Sequence, residues 1–63
     1  MIELTQDEIK YIDSNLKDKT LIRIARELSQ ARGDGTKIRR RDIIDYYNEK
    51  LGRDILVEKF GRP

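Results

Sequence analysis

Apolar residues recur at the spacing of an α-helix in three successive stretches of this 63-residue chain. The stretches contain Ile9, Ile12 and Leu16; then Leu21, Ile24, Ala25 and Leu28; then Ile44, Tyr47 and Leu51, with Ile43 at the margin. Each pattern gives a helix one apolar face, which has to be buried against another element. We therefore predict an all-α domain in which three helices share one small core.

Capping residues place the first two helices. Thr5 with Glu8 three positions later forms a capping box, which predicts the start of helix 1. Thr20 or Asp18 can act as the N-cap of helix 2. A glycine-rich turn over residues 32–35 then ends the helical pattern.

The third helix is predicted to begin after Thr36 and to end at Gly52, a residue type favoured just past a helix C-terminus. Ile38 lies off its apolar line, which indicates an irregular first turn or a contact outside the core. The predicted helices cover about residues 6–17, 21–30 and 37–51, within a single domain over residues 1–63.

The C-terminal segment, about residues 54–63, is also apolar. Its large apolar residues are Ile55, Leu56, Val57 and Phe60. This density is too high for a free tail, so the segment packs either on the three helices or on a second copy of the chain. With Tyr11 and Tyr46, which we expect to be exposed, these four residues are candidate contacts with a second subunit or a partner.

Positive charge is concentrated in one stretch, although the net charge of the chain is only +2. Residues 32–41 contain one carboxylate, Asp34, and five basic residues: Arg32, Lys37, Arg39, Arg40 and Arg41. Arginine pairs with phosphate and reads guanine edges, and a helix N-terminus favours an anion. A basic stretch at the head of helix 3 therefore predicts a nucleic-acid surface.

The segment Ile24-Ala25-Arg26-Glu27-Leu28 follows a first helix marked by Leu4-Thr5, Glu8-Ile9, Tyr11-Ile12 and Asn15, and the helix-2 start Lys19-Thr20-Leu21. Residues 4–51 thereby resemble the small helix-turn-helix DNA-binding domains common in phage and mobile-element regulators. The resemblance implies that helix 2 is the positioning helix, with Ala25 facing a recognition helix that opens at Thr36 or Lys37. The connection over residues 29–35 is longer than the usual turn of that family.

We therefore expect a small DNA-binding transcriptional regulator. Its predicted DNA contacts are Arg32, Thr36, Lys37, Arg39, Arg40 and Arg41, with Arg23 as an additional backbone contact. We expect a homodimer, because one copy carries little charge and helix-turn-helix dimers read paired half-sites. The alternative is a helix-turn-helix-like protein-interaction module that modulates another regulator. RNA binding is a third hypothesis, against which stands the lack of an aromatic platform.

Residue types that many enzymes use are missing. The chain contains no Cys and no His, and so lacks a Cys nucleophile, the commonest general base and the commonest transition-metal ligands. We expect no enzymatic activity, no metal and no cofactor. The first twenty residues contain no long apolar run, so we expect a cytoplasmic protein that is neither exported nor inserted into a membrane.

Overall fold

Four α-helices and one π-helical turn make up the fold in the computed structural model, which describes residues 2–61. The elements are α1 (Gln6–Asn15), α2 (Leu21–Arg32), α3 (Arg40–Tyr46), the π-helical turn (Tyr47–Leu51) and α4 (Ile55–Phe60). No strand occurs within the described residues, which confirms the prediction of an all-α fold. None of the helices in this range has the length and apolar character needed to cross a membrane.

The first two helices begin where the sequence predicts. At α1 the Glu8 N–H donates to Thr5 Oγ1 at 3.1 Å and the Thr5 N–H donates to Glu8 Oε1 at 2.9 Å, so the capping box is formed. At α2 the Thr20 hydroxyl accepts the Arg23 N–H at 3.1 Å. The helix ends differ from the prediction. Helix α1 stops two residues earlier, and α2 runs two residues further, to Arg32, where Gly33 with a φ of 65° closes it.

The third helix starts three residues later than predicted. The expectation that Thr36 caps a helix from Lys37 is wrong, because the residues before Arg40 are not helical. Ile38 explains the difference: it is only 3% exposed and belongs to the core. Its N–H donates to the Ser29 hydroxyl of α2 at 2.7 Å, which docks this segment on α2 outside the helix.

The core gathers residues from all four helices, from the π-helical turn and from the segments before α1, α2 and α3. Its buried members are Leu4, Ile12, Leu16, Leu21, Ile24, Ala25, Leu28, Ile38, Ile43, Tyr47 and Ile55. Ile43, expected at the margin of the third helix, is fully buried, whereas Ile44 and Leu51 are only partly buried. The buried line runs through Ile43 and Tyr47, one turn apart, and the wider π-helical turn leaves Leu51 at its edge.

The C-terminal segment packs on the same chain. Asp54 caps α4 by accepting the N–H groups of Leu56 and Val57 at 3.2 and 3.3 Å. Ile55 is fully buried and Leu56 packs against the core, while Phe60 stays 67% exposed. Of the two arrangements left open by the sequence, packing on its own helices is the one observed. The last two residues of the predicted segment lie outside the described residues.

Paired charges join α1, the π-helical turn and α4 in a cluster that we call the paired junction: Asp13, Tyr47, Arg53 and Glu58. Arg53 donates to Glu58 Oε1 at 2.6 Å and to Asp13 Oδ1 at 3.1 Å. Its guanidinium lies 4.9 Å from the centre of the Tyr47 ring, and the Tyr47 hydroxyl donates to Asp13 at 2.9 Å. Burial, helped by Asp13, raises the pKa of Tyr47, and the carboxylates of Glu58 and Asp13 raise the pKa of Arg53.

Candidate nucleic-acid interface

A groove of about 500 Å³ separates α2 from the segment that leads into α3. It is lined by Ile22, Ala25, Arg26, Ser29, Gln30, Lys37, Ile38, Arg39 and Arg40. The floor is apolar, because Ala25 and Ile38 are buried there, and the exposed Ile22 lies beside them. The charged members of the lining are all basic, so the groove combines an apolar floor with a cationic rim.

Four cations surround this groove, and we call Arg26, Lys37, Arg39 and Arg40 the basic face. All four are exposed, and none forms an ion pair with any carboxylate of residues 2–61. Arg41 is also exposed and makes no ion pair within that range, but it does not line the groove. The structure therefore brings together the predicted contacts Lys37, Arg39 and Arg40, and it adds Arg26, which the sequence reasoning had missed.

Ser29 fixes the two walls of the groove relative to each other. Its hydroxyl oxygen accepts the Ile38 N–H at 2.7 Å, and the hydroxyl lies 2.9 Å from the Ala25 carbonyl oxygen and 3.1 Å from that of Ile38. Because Ile38 is buried, its N–H requires such a partner. The bond sets the distance between α2 and the cations that flank Ile38. No sequence pattern singles out this serine, since its partner lies nine residues away.

Glu27, the carboxylate of α2, is already paired with cations of the same chain. Glu27 accepts hydrogen bonds from Lys19 Nζ at 2.8 Å, from the Tyr11 hydroxyl and from Arg23 Nε at 3.3 Å. These donors, with Lys19 foremost, lower the pKa of Glu27 to about 2. Glu27 is therefore ionised at neutral pH, and two neighbouring cations offset its charge.

Two further carboxylates close to the basic face bind backbone groups. The Thr36 N–H donates to Asp34 at 2.9 Å, and hydrogen bonding from Thr36 lowers the pKa of Asp34. The Arg39 N–H donates to Asp42 Oδ2, also at 2.9 Å. Asp42 thus occupies the first turn of α3, where the sequence suggested that a phosphate would bind. What this surface offers an anion is its cationic side chains and not the end of the helix.

Arg32 belongs to the fold and not to this surface. Its Nε donates to Glu8 Oε2 at 2.7 Å, and its Nη2 donates to the Glu3 carbonyl oxygen at 2.6 Å. The side chain thereby joins the end of α2 to the start of α1, and it lowers the pKa of Glu8. Because this guanidinium is occupied, we exclude Arg32 from the interface.

Tyr11 and Tyr46 are not the exposed contacts that the sequence predicted. Both are half-buried and pack against the core. The Tyr11 hydroxyl donates to Glu27, whereas the Tyr46 hydroxyl lies 3.4 Å from the Leu4 carbonyl oxygen. Each ring packs against the core of this chain, and each hydroxyl has a partner at the edge of that core. Among the candidate contacts of the C-terminal segment, only Phe60 is exposed.

The outer face of α2 carries a second pattern that the sequence reasoning missed. Ile22, Arg26 and Gln30 follow one another at i, i+4 and i+8, and all three are exposed; we call them the α2 stripe. Together with Thr20, Arg23 and Glu27 they line a groove of about 450 Å³, which shares the stripe with the first groove. The signal was present in the sequence, because Ile22 is the one large apolar residue of this helix that falls outside its buried stripe.

No family model, curated protein or solved structure matches this chain. Among residues 2–61, no cluster of three or more acidic, His or Cys side chains is arranged to hold a metal ion. The basic face and the α2 stripe are therefore the features from which a function has to be inferred.

Proposed function

We propose that this chain is a small transcriptional regulator that binds double-stranded DNA through the basic face. One observation carries the proposal: four cations that lack carboxylate partners within residues 2–61 surround a single groove, in a chain of net charge only +2. Like charges repel one another, and within these residues no ion pair offsets the repulsion in the folded chain. A polyanion that neutralises them is the ligand that this arrangement suits.

Phosphate contacts account for the residue types on the basic face. Three of the four are arginines, whose planar guanidinium binds phosphate or guanine with two parallel hydrogen bonds. Each neutralised phosphate releases condensed counterions, so the logarithm of the binding constant falls with the logarithm of salt concentration by about 0.9 per contact. Three to four phosphate contacts per chain correspond to a slope of about −3 to −4 for each bound chain, or a loss of roughly fiftyfold to 150-fold between about 50 and 200 mM salt.

A helix-turn-helix arrangement is the finer part of the proposal. The two helices are α2 and α3, and the buried Ala25 lies beside Ile38 at the base of the groove between them and the incoming segment. The connection runs from Gly33 to Arg39 and includes Gly35, at φ 87°. It is longer than the turn of the domains that the sequence resembles, so their docking geometry is not carried over.

Anisotropy of a labelled 20-base-pair duplex, measured at two salt concentrations, tests the proposal. Arg39→Ala with Arg40→Ala is expected to weaken binding at least tenfold and to reduce the salt slope by about 2 for each bound chain. Lys10→Ala with Lys17→Ala is the matched control. It removes the same charge from two exposed lysines that make no ion pair within residues 2–61, and it should change affinity less than about threefold.

Two results would contradict this function. Affinity that does not change with salt would show that phosphates are not the ligand. Equal losses in the two double variants would show that the duplex responds to net charge and not to the basic face.

A protein-interaction module is the second candidate, and one observation favours it. Among residues 2–61 the exposed large apolar side chains are Ile22 and Phe60, and both line a groove of about 200 Å³ that also includes Arg40. Such a groove suits a partner segment with apolar and acidic side chains. A protein that is retained by the wild type and lost with Phe60→Ser, together with no binding of duplex DNA, would favour this function over the first.

A homodimer is part of the proposal for DNA binding. Two copies would double the phosphate contacts of a chain whose charge is low, and a two-fold axis would match paired half-sites. Light scattering of the chain, alone and with duplex, measures the mass directly. A mass of one chain per duplex at saturation would reject the dimer and leave DNA binding intact.

A further inference from the structure

The two helices beside the groove differ in the charge of their exposed surfaces. The positive charge of α3 is concentrated in its first two residues, Arg40 and Arg41. Beyond them, α3 and the π-helical turn carry Asp42, Asp45 and Glu49 against a single cation, Lys50. Asp45 and Glu49 make no ion pair within residues 2–61. A helix that lies in the major groove is flanked by two rows of phosphates, so unneutralised carboxylates along its length oppose insertion.

The outer face of α2 has the opposite character. Arg23 and Arg26 are exposed there, and the carboxylate of Glu27 is offset by Lys19 and Arg23. The 12 residues of α2 are α-helical throughout, whereas the segment 40–51, which has the same length, changes to a π-helical turn after Tyr46. It is therefore the element whose charge and regular geometry suit the floor of the major groove, which accommodates one α-helix.

We propose that α2, and not α3, enters the major groove and reads base edges through the α2 stripe. The inference rests on the proposed function and names the element that gives it sequence preference. At 1.5 Å per residue, Ile22 and Gln30 are about 12 Å apart along the helix, which spans three to four base pairs.

The three side chains of the stripe match the chemistry displayed in that groove. Arg26 can donate two hydrogen bonds to O6 and N7 of guanine, and Gln30 can pair with N6 and N7 of adenine. Ile22 is 61% exposed although apolar, and a thymine methyl group is the apolar feature that the major groove presents. Each side chain thus has a distinct base as its partner.

The rest of the basic face then contacts the DNA backbone. Lys37, Arg39 and Arg40 line the same groove as the stripe, across from α2. When α2 lies in the major groove, these cations flank it at the level of one phosphate row. Ser29 holds the two parts in this relation through its bond to Ile38.

Selection from a random 20-base-pair duplex pool, followed by anisotropy with the selected and a scrambled duplex, tests the inference. Arg26→Lys keeps the charge and removes the planar guanidinium that can donate two parallel hydrogen bonds, and Gln30→Ala removes the amide. Each is expected to weaken the selected duplex about tenfold and to change the scrambled duplex and the salt slope little. The matched variants on the other helix, Asn48→Ala and Glu49→Gln, should leave the selected duplex within about twofold. Circular dichroism of each exposed-site variant verifies that it is folded.

The outcomes separate this inference from the proposed function. If Asn48→Ala weakens the selected duplex while Arg26→Lys and Gln30→Ala do not, the recognition element is the other helix and the inference is overturned. A pool that yields no preferred sequence overturns it as well. In both cases salt-dependent binding of the scrambled duplex would keep the proposed function. Failure of the wild type to bind any duplex at about 50 mM salt would reject both.

Discussion

The paired junction and the basic face are both rich in charge and use it in opposite ways. In the junction, Arg53 has two carboxylates within 3.1 Å and lies over the Tyr47 ring. On the basic face, Arg26 and Arg39 have no carboxylate partner among residues 2–61. The charged side chains of the junction are about a third exposed and are paired, whereas those of the basic face are exposed and left to solvent.

This difference has a physical reason. A charge that is partly withdrawn from water, such as that of Arg53, regains the lost hydrogen bonds inside the protein, and without them it would destabilise the fold. An exposed cation keeps its hydration and needs no internal partner, so it is available to an external anion. Changes in the junction should therefore alter the free energy of unfolding, and changes on the basic face should alter binding alone.

Tyr47→Ala is expected to have the largest effect on stability. The ring is fully buried among α1, the π-helical turn and α4, and its removal leaves a cavity and frees Asp13 of one donor. We expect a loss of about 3–5 kcal/mol, comparable with the whole free energy of unfolding of a domain this small. Urea denaturation followed by circular dichroism measures it.

Two control variants show whether the cost of Tyr47→Ala comes from the loss of its buried ring. Tyr47→Phe keeps the ring and removes the hydroxyl, and should cost about 1 kcal/mol. Ile22→Ala truncates an exposed residue of the α2 stripe and should stay within about 0.5 kcal/mol. Equal costs for Tyr47→Ala and Ile22→Ala would erase the distinction between the two regions.

Ser29→Ala is expected to have the next largest effect on stability. It should also affect binding, because Ser29 holds the segment that carries part of the basic face. Without the hydroxyl, the buried Ile38 N–H loses its acceptor, and we expect a cost of about 1–2 kcal/mol. The segment that carries Lys37 and Arg39 would also lose its attachment to α2, so duplex affinity should fall although no cation is removed. Ser29→Thr, which keeps the hydroxyl, should restore most of both. If Ser29→Ala keeps full stability and full duplex affinity, Ser29 does not position the basic face.

The helix starts could be predicted because their determinants are local. Thr5 and Thr20 bond to N–H groups three residues away, and the sequence displays both partners at once. The start of α3 could not be predicted in the same way. It depends on Ile38 docking against Ser29, and that contact exists only once α2 and the following segment have folded together.

The residues of the candidate site also divide into those that local sequence identifies and those that depend on distant contacts. Charge density along the chain was enough to find Lys37, Arg39 and Arg40, because exposure is the default for cations without a local partner. Arg32 was misplaced because its partner, Glu8, lies 24 residues earlier. Arg26 was missed because it is isolated in the sequence and joins the other cations only across the groove.

Acid should weaken the attachment of α1 to α2 before it affects the basic face. The pKa of Glu27 is lowered to about 2 by Lys19, Tyr11 and Arg23, so its contribution to stability is present above its ordinary value of about 4.5 and is lost as pH falls toward 2. Glu27→Gln should therefore lower the Tm at pH 7, by less than Ser29→Ala, and the difference from wild type should shrink across that window. Thermal unfolding at pH 7, 4.5 and 2.5 measures this. If the difference in Tm between wild type and Glu27→Gln stays constant with pH, the lost stability is not electrostatic.

Arg39→Ala with Arg40→Ala should have the smallest effect on stability. Neither guanidinium has a carboxylate partner among residues 2–61, and removing two neighbouring cations reduces repulsion on the basic face, so the free energy of unfolding should change by less than about 0.5 kcal/mol. The same variant is expected to lose most of its duplex affinity. A loss of more than about 1 kcal/mol in urea would mean that these arginines hold α3 in place, and weaker binding would then reflect a damaged fold. Unchanged stability with lost binding would assign the two arginines to a ligand, which separates the basic face from the paired junction by measurement.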